Sequence, residues 1–129
     1  MRPSPAALVR EFYELRKQND QELLRPRLSP TVRWCEPEVG KHMGVLEGID
    51  AVIDMIQRAL ATTGGTFSLS VAETVETATQ CSAVIAWSAD KGGTTITGQE
   101  MAVYGFKNGL IEEAYFFASN LANDEAFWA

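Results

Sequence analysis

A chain of 129 residues, 46% of them hydrophobic and 9% aromatic, has the length of one ordinary domain and enough apolar side chains to pack a core. Its net charge of -6 excludes a nucleic-acid partner, which needs a basic face; the only local gathering of cations, Arg25, Arg27 and Arg33, flanks a helix end. No apolar run approaches the ~20 residues that span a bilayer, and the stretch from Met1 to Leu8 lacks the apolar centre of a secretory signal, so the expectation is one cytoplasmic domain over residues 1–129 with no membrane partner.

Ser4-Pro5 is a helix start, with serine as N-cap and proline at the first helical position. Leu8, Val9, Phe12 and Leu15 then recur at helical spacing and face a core, while Arg10, Glu14 and Lys17 face water. Asn19-Asp20 opens a short second helix that carries Leu23, Leu24 and Leu28; Pro26 shortens its last turn and Ser29-Pro30 ends it. Residues 31–36 read as a strand, stopped by Pro37, which cannot donate to a sheet ladder. A loop with Gly40 and Gly44 follows. From Gly48 to about Leu60 the residues Ile49, Val52, Ile53, Ile56 and Leu60 repeat at three and four, the clearest helix in the chain.

Thr62-Thr63-Gly64-Gly65 ends that helix, and the period changes from 3.6 to 2. Strands are expected over 66–77, 81–89, 95–106 and 110–118, separated by turn signals of which Asn108-Gly109 is the strongest. The short loops make the sheet antiparallel. Helices first and a strand meander after them give an α+β fold, in which one curved antiparallel sheet wraps around about three helices. Helices that do not fill a curved sheet leave a cavity, the default ligand site. Cys35 and Cys81 fall within strands and read as reduced, buried thiols; with one histidine in the chain no metal site is spelled out, and no motif calls for a cofactor.

The chemistry gathers between Trp34 and Gly48, around Glu36 and His42. Glu36 is either a solvated carboxylate at a strand end or a base in the pocket, because by period two it shares a face with Trp34. His42 is either a surface-loop residue or an acid or base at the pocket mouth. Alternation puts Ala102, Tyr104 and Phe106 on one face, with Ala114, Phe116 and Ala118 beside them and Ile85 and Trp87 facing in; Phe12 and Met55 approach from helices. Phe12, Trp34, Met55, Trp87, Tyr104 and Phe116 are either simply core, as most such residues are, or the ligand-binding set; Tyr104 is the exception, since a buried phenol needs a partner, which a ligand oxygen would supply. Val103, Tyr115 and Phe117 make the other face too apolar for water, so a homodimer through it is expected.

Two early helices, a strand ending in Glu36-Pro37, the helix after Gly48, Trp87 in a middle strand and the hairpin 106–111 leading to Tyr115-Phe116-Phe117 resemble the SnoaL-like and ketosteroid isomerase-like branch of the nuclear transport factor 2-like superfamily. The resemblance implies a cone-shaped half-barrel with a pocket between sheet and helices, and a homodimer packed through the outer sheet face. Glu36 before Pro37 matches the aspartate before proline that serves as base in ketosteroid isomerase. The tyrosine of that enzyme's first helix falls on Phe12, with Tyr13 one step round, and its protonated aspartate falls near Ala102, so steroid isomerisation is not expected. The arginine and aspartate pair of limonene epoxide hydrolase is also missing: the matching strand reads Ala83-Val84-Ile85, and the later aspartate position falls at Phe116. Many activities share this fold. Two readings stand: a cofactor-independent isomerase, cyclase, dehydratase or hydrolase acting on a small hydrophobic, carbonyl-bearing molecule, with Glu36 taking a proton and His42 or Tyr104 stabilising the oxyanion; or a noncatalytic ligand-binding or dimerisation domain.

Overall fold

The first helix, α1 (Pro5–Arg16), begins where the sequence signals it, with Ser4 Oγ accepting from the Ala7 N–H at 3.2 Å and Pro5 in the first turn. The computed structural model describes residues 3–18, 20–36, 44–119 and 122. Within α1 the buried side chains are Pro5, Val9, Phe12 and Tyr13, a stripe at i, i+4, i+7 and i+8. The second helical segment, Gln21–Arg27, is a 3-10 helix. Pro26 inside it removes a donor, and so short a piece tolerates the tighter winding. Arg25 ties it to the next helix through Asp50 at 2.6 Å, and Arg27 pairs with Glu11 of α1.

Strand β1 (Leu28–Cys35) takes in Ser29 and Pro30, which the sequence read as the end of the helix. Pro30 is accommodated because the pairing of this strand with its neighbour is irregular between Leu28 and Arg33. A short strand β2 (Val45–Glu47) pairs with it, too brief to show any periodicity and so absent from the sequence reading. Helix α2 (Ile49–Thr62) follows and buries Val52, Ile53, Met55 and Ile56. Strands β3 (Ser68–Glu76), β4 (Gln80–Lys91), β5 (Thr94–Lys107) and β6 (Leu110–Ala118) complete the sheet. The β5–β6 hairpin turns on Asn108 and Gly109 with φ of 55° and 77°, the left-handed pair that a two-residue turn of matching twist requires.

The sheet order is β2-β1-β6-β5-β4-β3. It is curved and unclosed, a half-barrel whose inner face covers the helices. The expectation of a wholly antiparallel sheet needs one correction: β1 runs parallel to β6. Short loops fix the direction of consecutive strands, but β6 reaches β1 from the far end of the chain and no hairpin constrains the pair. The core lies between the inner face and the helices, where Val9, Phe12, Leu24, Val52 and Ile56 meet Trp34, Ile85, Tyr104 and Ala114. Cys35 and Cys81 are free thiols. Among the described residues no helix is long and apolar enough to cross a membrane.

Candidate functional site

Three neighbouring strands build the centre of the inner face. Trp34 of β1 sits beside Ala114 of β6, which sits beside Tyr104 of β5. Because the middle residue is only a methyl, the indole and the phenol close over it, with ring centroids 5.9 Å apart and nearly perpendicular. Phe116, two residues along β6, approaches Trp34 at 4.7 Å and Tyr104 at 5.8 Å, and Phe12 of α1 approaches them at 6.0 and 6.2 Å. Trp34 and Tyr104 are fully buried.

Glu36 leaves this cluster at the strand end. Its backbone N–H donates to the Gly44 carbonyl at 2.9 Å, one rung beyond the β1–β2 pairs. Its half-buried side chain accepts from Trp34 Nε1 at 2.9 Å. An indole N–H only donates, so the contact orients the carboxylate through an acceptor oxygen. Period two alone foresaw that Trp34 and Glu36 share a face; the hydrogen bond between them adds that one positions the other.

Tyr104, whose ring packs on the same indole, has its own partner. Its hydroxyl lies 2.6 Å from that of Tyr13, in a bond that either oxygen can donate. Two hydroxyl hydrogens share one mutual bond, so the second is left for another acceptor. Burial raises the pKa of both phenols; at Tyr13 the charge of Glu100 adds to this, and at Tyr104 the Tyr13 oxygen does. Both are therefore neutral donors across the physiological range.

The expected ligand-binding residues are distributed as follows. Phe12, Trp34, Tyr104 and Phe116 form one aromatic cluster. Met55 is buried on α2. Trp87 is buried on β4, and its ring partner among the described residues is Phe67, stacked at 6.0 Å. Gly98 lies directly across from Trp87, and a Cβ there would stand 2.5 Å from the indole, so only glycine leaves the ring its place. His42 and Pro37 lie outside the described residues. Tyr13 is the residue that sequence reasoning missed. Its signal was present in the spacing of 5, 9, 12 and 13 along α1, which carries the buried stripe past Phe12 onto the next side chain. Among the described residues no group of three or more His, Cys, Asp and Glu side chains could hold a metal ion.

No curated protein matches the sequence. Among solved structures, Bal32a from a soil-derived mobile gene cassette has a TM-score of 0.91 at 22% identity, covering 97% of this chain and 96% of that one. An NTF2-like protein of unknown function from Burkholderia pseudomallei K96243 gives 0.84 at 21% identity, over 97% of each chain. TerC, co-crystallised with polyporic acid, gives 0.78 at 19% identity, over 96% of this chain and 97% of its own. At such identities the likeness is one of fold. The sequence itself matches the SnoaL-like domain family over residues 9–114, and to that family the chain belongs.

Proposed function

We propose that the protein binds a small hydrophobic, carbonyl-bearing molecule and moves a proton next to the carbonyl without a cofactor, as an isomerase, cyclase, dehydratase or hydrolase. The observation that supports this is that Trp34 adjoins both groups: its indole N–H holds the Glu36 carboxylate, and its ring packs on Tyr104 of the Tyr13–Tyr104 pair. The Glu36 carboxylate takes the proton, the C–H electrons move into the carbonyl, and the enolate oxygen that forms accepts the phenol hydrogen left over by the tyrosine pair. Phe12, Trp34, Met55, Trp87 and Phe116 supply apolar walls. His42 is proposed as a second acid or base at the mouth. The crystallisation of TerC with polyporic acid supports a small-molecule role for such a fold.

A noncatalytic binder is the second reading. It is favoured by the Tyr13–Tyr104 bond, which gives each phenol a structural partner and a place in a packed core. The apolar outer sheet face favours a homodimer in either case, and the two free thiols favour a reducing compartment such as the cytoplasm.

Proton exchange separates the readings without knowledge of the natural substrate. β-Tetralone in deuterium oxide loses its activated C–H signals slowly in buffer. The protein should accelerate that loss, and Glu36→Gln should reduce the acceleration by roughly 10²–10⁴-fold, the range of a positioned general base, while quenching of tryptophan fluorescence by the ketone stays unchanged. Equal exchange rates for the two proteins would remove Glu36 from the chemistry.

A further inference from the structure

A cavity of about 210 Å³ lies between the end of α1, the turn after α2 and the start of β3. Among the described residues its lining includes Tyr13, Arg16, Lys17, Leu60 and Phe67, and no carboxylate. That is unexpected in a chain of net charge -6. The negative end of the α1 dipole accounts for two cations at its last turn, but the two differ. Lys17 is neutralised by Glu14 at 2.9 Å. Arg16 makes no ion pair among the described residues; its guanidinium lies over the Tyr13 ring, 5.7 Å from the centroid.

The walls are fixed before any ligand arrives. Thr66 Oγ1 donates to the Thr63 carbonyl at 2.6 Å and accepts from the Asp90 N–H at 2.8 Å, tying the turn after α2 to the end of β4. Phe67 is held by its stack on Trp87. The volume exceeds the ~150 Å³ of a cavity that takes a benzene ring. Phe67 and Leu60 offer that ring an apolar surface. Glu100 acts on Tyr13 electrostatically from β5, but it is not part of this lining.

We propose that this cavity is a binding site for a small amphipathic anion, a flat apolar body carrying one carboxylate, with Arg16 pairing the carboxylate in a two-pronged bond. Arginine suits this role because its planar fork matches both carboxylate oxygens. The site shares the Tyr13 ring with the proposed donor pair but does not include Glu36, and it does not require that the protein be an enzyme.

The test uses 2-naphthoate and its neutral isostere 2-naphthamide, titrated calorimetrically into the whole protein. The acid should bind at least tenfold more tightly than the amide, and Arg16→Gln should erase that preference while leaving amide binding unchanged. Arg16→Lys, which keeps the charge but not the fork, should retain part of it and guards against a glutamine variant that fails to fold. Glu36→Gln should leave the preference intact. The proposal is overturned by equal binding of acid and amide, by an acid preference that survives Arg16→Gln in a folded protein, by loss of the preference in Glu36→Gln, or by no binding of either compound at millimolar concentration.

Discussion

Phe116 and Phe117 are the same residue at consecutive positions on β6, and the sheet gives them opposite surroundings: Phe116 is 5% exposed and Phe117 is 57% exposed. Phe116 points into the aromatic cluster and packs on Trp34. Phe117 stands on the outer face, directly beside Met101 of β5, itself half exposed at 50%. The tyrosines divide the same way, with Tyr13 and Tyr104 inside and Tyr115 outside, where it donates to the Glu113 carboxylate at 3.1 Å. Residue type therefore says little here about role; the phase of alternation decides it. Inside, each polar atom must find a protein or ligand partner, whereas outside water serves.

Alkaline pH should strain that division most. The inner phenols have pKa values raised above their ordinary value near 10, chiefly by burial. Above that value the unfolded chain releases protons that the folded chain retains, so the unfolded state binds fewer protons and stability falls as pH rises. Below about pH 10 the full stability is present. Above it, two such groups should remove ~2.7 kcal/mol per pH unit, about 1.4 for each. Urea midpoints at pH 9, 10 and 11, with tyrosinate absorbance followed in parallel, read this directly. Only one of the three tyrosines, Tyr115, should ionise before unfolding, and later than a free tyrosine because its bond to Glu113 raises its pKa. A midpoint that stays flat to pH 11, or three phenols ionising together in the folded protein, would contradict the burial of the pair.

A smaller and more local effect is expected from removing one hydroxyl. Tyr104→Phe keeps the ring contacts with Trp34 and Phe116 but leaves the Tyr13 hydroxyl buried without its partner, a cost of about 1–3 kcal/mol. Tyr13→Phe should cost a similar amount. The double substitution should cost less than the sum, since removing both partners removes the unmet need as well. Denaturant unfolding of the four proteins measures the coupling, and strictly additive losses would mean that the two hydroxyls do not depend on each other.

The contrast between inside and outside also separates what the sequence disclosed from what it did not. Alternation in β4, β5 and β6 and the three-four spacing of α2 are local patterns, and they placed Trp87, Tyr104, Phe116 and Met55 in the interior. Period two placed Glu36 on the same face as Trp34. What escaped depends on distant partners. The parallel register of β1 with β6 follows from no hairpin, β2 has only three residues, and Pro30 reads as a breaker until its irregular pairing is known. The bond between Tyr13 and Tyr104 joins positions at opposite ends of the chain. The cationic cavity is legible only once the last turn of α1 is set against the start of β3.

The smallest effect on the fold should come from the outer face, where its cause lies between molecules. Phe117→Thr puts a β-branched, strand-favouring residue in place of an exposed ring, so the folding free energy of the isolated chain should change by no more than ~0.5 kcal/mol. If the outer face is covered by a second copy, as its apolar pairing of Met101 with Phe117 favours, the same substitution should move the protein from dimer toward monomer in sedimentation equilibrium at micromolar concentration. Stability must then be compared at matched and low concentration, because a dimer adds its association energy to any apparent unfolding midpoint. A wild-type protein that sediments as a monomer would leave Phe117 as an ordinary exposed apolar residue. A variant that remains a dimer with unchanged affinity would move the interface to some other surface.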